Sequence, residues 1–247
     1  MSIWSKGTAA MVLAACLAAG LPAAAQTPNA TAALTARANA GAVEAMQALG
    51  LAAAARRGGG SAERSRSDDD NQSAVPSFVE ATRWFRMAAE KGSAAGMYSL
   101  GTSYLDGQGV PKDIEQAIRW LRMAADKGNG PAMFNLAYIY ETGEDVPKDP
   151  AQALGWYRKA AEAGEMGAMV ELASKYHGGE GVTRDLAEAA RWQRKAADLG
   201  YAPSMLAMGR YYAAGEGVAK SPAESLAWYR KAAAAGNSDA QILMQGR

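Results

Sequence analysis

The chain has 247 residues, with 26 Lys and Arg against 25 Asp and Glu, one histidine and one cysteine. That near-neutral balance argues against the basic stripe that nucleic-acid binding requires. A single cysteine and a single histidine exclude a disulfide framework and a Cys/His metal site, and leave one imidazole for any nucleophilic catalysis.

Residues 1–25 read as an export signal. Lys6 supplies the charged start, residues 7–21 are apolar, and Pro22 precedes small residues at Ala23 and Ala25, which places cleavage before Gln26. The apolar run is too short for a membrane span. A competing reading takes Leu13-Ala14-Ala15-Cys16 as a lipoprotein box with Cys16 as the lipid-anchored N-terminus. Cleavage at Ala25 is preferred because the apolar stretch before Cys16 is short. The mature chain is then expected to be periplasmic or secreted in a bacterium, with no cysteine. Loss of Lys6 lowers the basic count from 26 to 25, equal to the acids.

Residues 26–76 form an alanine-rich segment followed by a polar linker. Ala45-Met46-Gln47-Ala48-Leu49-Gly50 matches Gly96-Met97-Tyr98-Ser99-Leu100-Gly101 further on. Residues 40–55 are therefore expected to be a degenerate first helix paired with a second at 77–91; the alternative is a flexible lead-in. Residues 58–75 have almost no apolar content and clustered charge, the composition of a linker or a long insertion.

From residue 77 to 247 the chain repeats. Trp84, Trp120, Trp156, Trp192 and Trp228 recur every 36 positions, as do Gly92, Gly128, Gly164, Gly200 and Gly236, and Tyr104, Tyr140, Tyr176 and Tyr212. A fixed period of this length signals stacked helical repeats. In each unit Met97, Leu100, Gly101 and Tyr104, or their equivalents, mark one stripe of a helix A. Glycines at 107, 143, 179 and 215 stop it. Helix B then opens on a capping residue with Glu or Gln three positions later: Ser77/Glu80, Asp113/Gln116, Asp149/Gln152, Asp185/Glu188 and Ser221/Glu224. Its stripe is Ala117, Trp120, Leu121, Ala124 and Ala125, and the tryptophan is expected to be the bulky filler between neighbouring pairs.

The pattern A-M-x-x-L-G/A-x-x-Y-x-x-G-x-G-V-x-x-D-x-x-x-A-x-x-W-x-R/K-K/M-A-A-x-x-G resembles the Sel-one-like repeat, a branch of the tetratricopeptide-like α-solenoids. The resemblance covers residues 77–247. It implies an all-α fold, a right-handed α-solenoid of stacked antiparallel helix pairs with a 36-residue repeat. It also implies a non-enzymatic adaptor that holds a protein or peptide on the concave surface lined by helix A. A cysteine-rich branch of that family is linked to β-lactam and cell-wall ligands. The repeats here contain no cysteine, so that activity is not carried over.

Candidate chemistry is sparse. His177 follows helix A and reads as a solvated loop side chain. Arg86, Arg122, Arg158, Arg194 and Arg230 form a ladder, but an acid four residues on from the first four reads as ordinary i,i+4 pairing. No catalytic, metal or cofactor residue is assigned. The positions that differ between copies of helix A are the candidates for partner contact: Ser99/Asn135/Glu171/Ala207, Thr102/Tyr138/Ser174/Arg210 and Ser103/Ile139/Lys175/Tyr211. Asn135, Tyr138, Ile139, Glu171, Lys175, Arg210 and Tyr211 are the expected partner-binding residues, because aromatic and arginine side chains dominate interface energetics.

Overall fold

In a computed structural model the described residues are 28–58 and 78–245. Among them are twelve helices and no strand: α1 Pro28–Asn39, α2 Val43–Gly58, α3 Phe78–Glu90, α4 Ala94–Asp106, α5 Ile114–Asp126, α6 Gly130–Thr142, α7 Pro150–Glu162, α8 Met166–Gly178, α9 Leu186–Asp198, α10 Ala202–Ala214, α11 Pro222–Ala234 and α12 Ser238–Gln245. They fall into two compact units, Met1–Lys127 and Gly128–Arg247. The export-signal and Cys16 readings lie outside the described residues.

One hydrogen-bond scheme builds the four A–B turns among the described residues. Helix A ends at a left-handed glycine whose N–H donates to a carbonyl four residues back: Gly107 to Ser103, Gly143 to Ile139, Gly179 to Lys175 and Gly215 to Tyr211. Helix B starts with a side-chain cap, as Asp113, Asp149, Asp185 and Ser221 accept from the N–H three residues on. The reciprocal half of the capping box is not needed. The backbone N–H of each cap residue instead donates to the carbonyl of the repeated tyrosine, Asp113 to Tyr104, Asp149 to Tyr140, Asp185 to Tyr176 and Ser221 to Tyr212, at 2.8–3.0 Å. The conserved-period tyrosine thus ties the end of helix A to the start of helix B.

The second turn glycine has a separate reason. A Cβ on Gly109 or Gly217 would overlap the carbonyl of Phe78 or Leu186, at the start of the preceding helix B. At both, φ is also in the left-handed region, +74° and +68°.

Helices A and B of one repeat pack small against large. A Cβ added at Gly101 would press on Leu121, and one at Gly209 on the Tyr229 ring. Gly50 meets Phe85 in the same way, and Met46 and Leu49 share a core with Trp84 and Ala88. Helix α2 therefore packs on α3 as a helix A packs on its helix B. A further helix, α1, precedes it in the segment read as a lead-in; its alanine content carries a high helix propensity.

The tryptophan assignment needs correction. Trp84, Trp192 and Trp228 are buried, but Trp120 and Trp156 are only partly so. In the second unit the largest fully buried side chain is the next residue, Tyr157, 1% exposed, whose ring meets Phe134 edge-on at 5.6 Å. A lysine covers the outer face of the tryptophan one turn on: Lys159 over Trp156 at 4.4 Å, Lys195 over Trp192 at 3.8 Å and Lys231 over Trp228 at 4.2 Å. The tryptophan is thus a lid on the inter-helix core, dry on one face and cation-covered on the other.

Three arginines of the ladder are held within the fold, one by the expected partner and two by a different one. Arg194 pairs with Asp198 at 3.1 Å, as the i,i+4 reading has it. Arg86 and Arg158 reach across instead, donating to the hydroxyls of Tyr104 and Tyr176 in the next helix A at 2.8 and 2.9 Å.

Candidate functional site

The variable positions of helix A separate once side chains are placed. Asn135 is 8% exposed and Ile139 5% exposed. Both are packing residues, and they leave the candidate surface. The position of Ile139 is an inward one in another copy too, since Ser103 is buried and receives a hydrogen bond from Thr82 at 3.3 Å. Glu171, Lys175, Tyr138 and Tyr211 are half-buried and Arg210 is exposed.

Two junctions in the second unit carry these residues, and they are related by one repeat. The first joins α6, α7 and α8. Lys175 Nζ and the Tyr157 hydroxyl both donate to the Glu141 carboxylate, the latter at 2.6 Å. Lys175 also lies 5.4 Å from the centre of the Tyr157 ring. The ion pair is largely withdrawn from water, with Lys175 12% and Glu141 31% exposed. Burial pushes the Glu141 carboxyl up, but the hydrogen bonds from Lys175 and Tyr157 and the nearby lysine charges outweigh it and hold the group below the ordinary range. The same setting pushes the Tyr157 phenol well above its ordinary value, through burial first and the Glu141 carboxylate second. Glu171 lies beside this cluster, its carboxyl raised by burial and by the Glu141 charge.

The second junction joins α8, α9 and α10. Thirty-six positions on, Glu141 becomes His177, Tyr157 becomes Gln193 and Lys175 becomes Tyr211. These three equivalents form no ion pair among themselves. His177, read from sequence as a solvated loop residue, sits in the last turn of α8. Its ring stacks on Tyr211, 6.0 Å between centres and 4° from parallel, and its Nε2 lies 3.4 Å from Glu216 Oε2. Val170, His177, Gln193, Ala207, Arg210 and Tyr211 line an open groove of ≈ 380 Å³. The Gln193 amide oxygen is buried there with no hydrogen-bond partner. Arg210 makes no hydrogen bond or ion pair among the described residues.

Glu141, His177 and Gln193 were absent from the sequence candidates. The same rule that found Arg210 would have found them: at positions 105, 141, 177 and 213 the copies read Leu, Glu, His and Ala, and at 121, 157, 193 and 229 they read Leu, Tyr, Gln and Tyr. Applied only to the outward positions of helix A, the rule missed a turn-end position and a helix B position that share the same face. Among the described residues no group of His, Cys, Asp and Glu is arranged to hold a metal ion, and no helix is long and apolar enough to cross a membrane.

A family model described as the Sel1 repeat matches residues 73–93, 94–129, 130–165, 167–201 and 202–237. The chain belongs to the Sel1 repeat family. Its helix pairs are accordingly those of an α-solenoid of the tetratricopeptide-like kind. Among solved structures, a Sel1 repeat protein from Oxalobacter formigenes is similar over 88% of this chain at 32% identity and a TM-score of 0.73. A protective antigen of uropathogenic Escherichia coli strains, displaying an SLR fold, is similar over 86% at 30% identity and a TM-score of 0.69. The chain spans 60% and 44% of the length of these two proteins. No curated protein matches the chain. Sel1 repeat proteins generally mediate protein–protein interaction and are typically scaffolds without enzymatic activity.

Proposed function

We propose that this Sel1 repeat protein is an exported, non-enzymatic scaffold that holds a protein or peptide partner on the helix-A face of its repeats. The observation that carries the reading is the split among equivalent positions. The caps, the turn glycines and the alanine stripe hold the same residue types from copy to copy, while the partly exposed face changes from Glu141, Glu171, Ser174 and Lys175 to His177, Ala207, Arg210 and Tyr211 one repeat later. A surface that reads an extended partner needs different side chains along its length, whereas the framework that holds the helices needs the same ones. The chemical inventory supports a binding role: the one imidazole is stacked on Tyr211 beside Glu216. The acids of the helix-B caps are spent on backbone N–H groups.

The test is crosslinking capture from the bacterial envelope with the wild-type chain, with Tyr138, Lys175, Arg210 and Tyr211 all changed to Ala, and with Arg122, Arg158 and Arg194 changed to Ala on helix B. Circular dichroism first establishes that both variants are folded. Loss of the partner in the first variant alone is the expected result; loss in the helix-B variant alone assigns the partner to the arginine ladder and ends this reading. Intact mass of the exported protein checks the compartment. A mature start at Gln26 agrees with the proposal, and a lipid on Cys16 replaces the soluble form by an anchored one.

A further inference from the structure

We infer that the groove between α8, α9 and α10 is a recognition pocket for an acidic side chain carried on an extended peptide segment. The inference deepens the proposed function, since it rests on a peptide partner lying along the helix-A face. Three groups of the groove point to this ligand together. Arg210 is an exposed guanidinium without a partner, and a guanidinium is matched by a carboxylate through two parallel N–H···O bonds. The Gln193 amide oxygen is buried and unpartnered. A buried acceptor left bare costs free energy, which a ligand N–H recovers once the Gln193 side chain, part of the groove lining, turns its amide oxygen outward. His177 and Tyr211 form a stacked pair of rings beside both, a rigid platform for the aliphatic part of the ligand.

The junction one repeat earlier shows what the groove lacks. There Tyr157 fills the position of Gln193 and finds its acceptor inside the protein, in Glu141, which Lys175 neutralises. At the second junction the Gln193 oxygen lacks a donor and the Arg210 guanidinium lacks an anion, since the Glu216 carboxylate faces His177. A carboxylate next to a peptide N–H supplies both. One unpaired cation, beside a Glu216 already facing His177, suits a single carboxylate better than the higher charge of a phosphate. A side-chain carboxylate is favoured over a chain terminus because terminal carboxylates are captured in nests of free backbone N–H groups, and the interior N–H groups of α8, α9 and α10 are spent within their helices.

Nuclear magnetic resonance titration of the full chain tests this with three small probes. N-acetylglutamate N-methylamide carries the acidic side chain and the peptide N–H. N-acetylglutamine N-methylamide is its neutral isostere, and N-acetylglutamine moves the carboxylate to the chain end. The first probe is expected to shift the side-chain signals of Arg210 and Gln193 in a saturable way, with binding about tenfold or more tighter than the neutral isostere. Arg210→Gln and Gln193→Leu should each weaken it about tenfold, and Arg122→Gln on a helix B should leave it unchanged. Gln193→Leu installs the residue type present at Leu121, so folding is not at stake. Equal response to the neutral isostere, preference for the chain-end carboxylate, an unchanged Arg210→Gln, or no saturable response overturns the pocket. Any of these, combined with loss of the envelope partner in the four-site variant, retires the pocket while the helix-A face stands. Retention of the partner by that variant retires the face.

Discussion

The α6–α7–α8 junction and the α8–α9–α10 junction have the same backbone arrangement and opposite chemistry. In the first, a phenol, an ammonium and a carboxylate satisfy one another inside the protein. In the second, the equivalent three residues leave an amide oxygen bare, a ring stack exposed and a neighbouring arginine free. The contrast teaches that a repeat scaffold separates its two tasks by position. The caps, the turn glycines and the alanine stripe are constant and hold the helices. Three side chains per junction are free to change, and they decide whether the junction is sealed or open.

The largest expected break of the sealed junction is Tyr157→Ala. Deleting a fully buried aromatic should cost about 3–5 kcal/mol, read from the urea midpoint of the full chain, while the half-covered Trp156→Ala should cost about 1–2 kcal/mol because less of its surface leaves water. Equal costs would restore the tryptophan as the principal filler. A stack of repeats coupled mainly to their neighbours can also unfold in two stages when one junction fails.

Glu141→Gln comes next, at about 1–3 kcal/mol, because the ammonium of Lys175 is left without its anion. Its pH signature is specific. A carboxyl held below its ordinary value stabilises the fold at pH above the unfolded value of about 4.3, and that contribution disappears as pH falls through the lower native value. Glu171 acts with the opposite sign. Its raised carboxyl binds a proton more readily in the folded chain, so it penalises folding near neutrality and the penalty lifts as pH falls through the raised value. Glu141→Gln should therefore flatten the acid limb of the stability curve, and Glu171→Gln should raise stability at pH 7 with little change at pH 4. Chemical denaturation at those pH values separates the two.

How much of this was legible in the sequence follows from what each feature depends on. Turns and caps are local, and Asp113, Asp149, Asp185 and Ser221 announce helix starts without reference to the rest of the chain. The helix-A period exposed Tyr138, Glu171, Lys175, Arg210 and Tyr211 as variable. What it could not show was depth. Asn135 and Ile139 are as variable as Arg210, yet they are buried, because variability marks both surface and adjustable packing. The Glu141–Tyr157–Lys175 cluster joins three helices across 34 positions, and only the folded register brings those side chains together. The choice between Trp156 and Tyr157 was illegible for the same reason: both lie on the inner half of α7, and the rotation of that helix by a few tens of degrees decides which is dry.

Smaller effects sharpen the comparison from the open side. Gln193→Leu should stabilise the chain by up to about 1 kcal/mol, since it removes a buried acceptor without a partner. A rise in melting temperature together with loss of the groove is the expected pairing, and a fall would show that the amide is satisfied in solution. Smallest is Ser204→Ala. The hydroxyl is buried at 1% exposure with no partner, in a position that is Gly96, Ala132 and Ala168 in the other copies. The change should be neutral or stabilising by a few tenths of a kcal/mol, and a cost above about 1 kcal/mol in a thermal melt would contradict it.

The seat of Phe85 against Gly50 has a consequence for chain connectivity. Helices α2 and α3 pack as partners, although residues 59–77 separate them where 107–113 separate α4 from α5. That is 19 positions against 7. Closing a connection of the greater length costs only about 1 kcal/mol more in chain entropy, because the penalty grows with the logarithm of length. Between these two helices additional sequence is thus thermodynamically cheap. A tag, a reporter or a second binding module inserted there should leave the melting temperature of the remaining repeats almost unmoved.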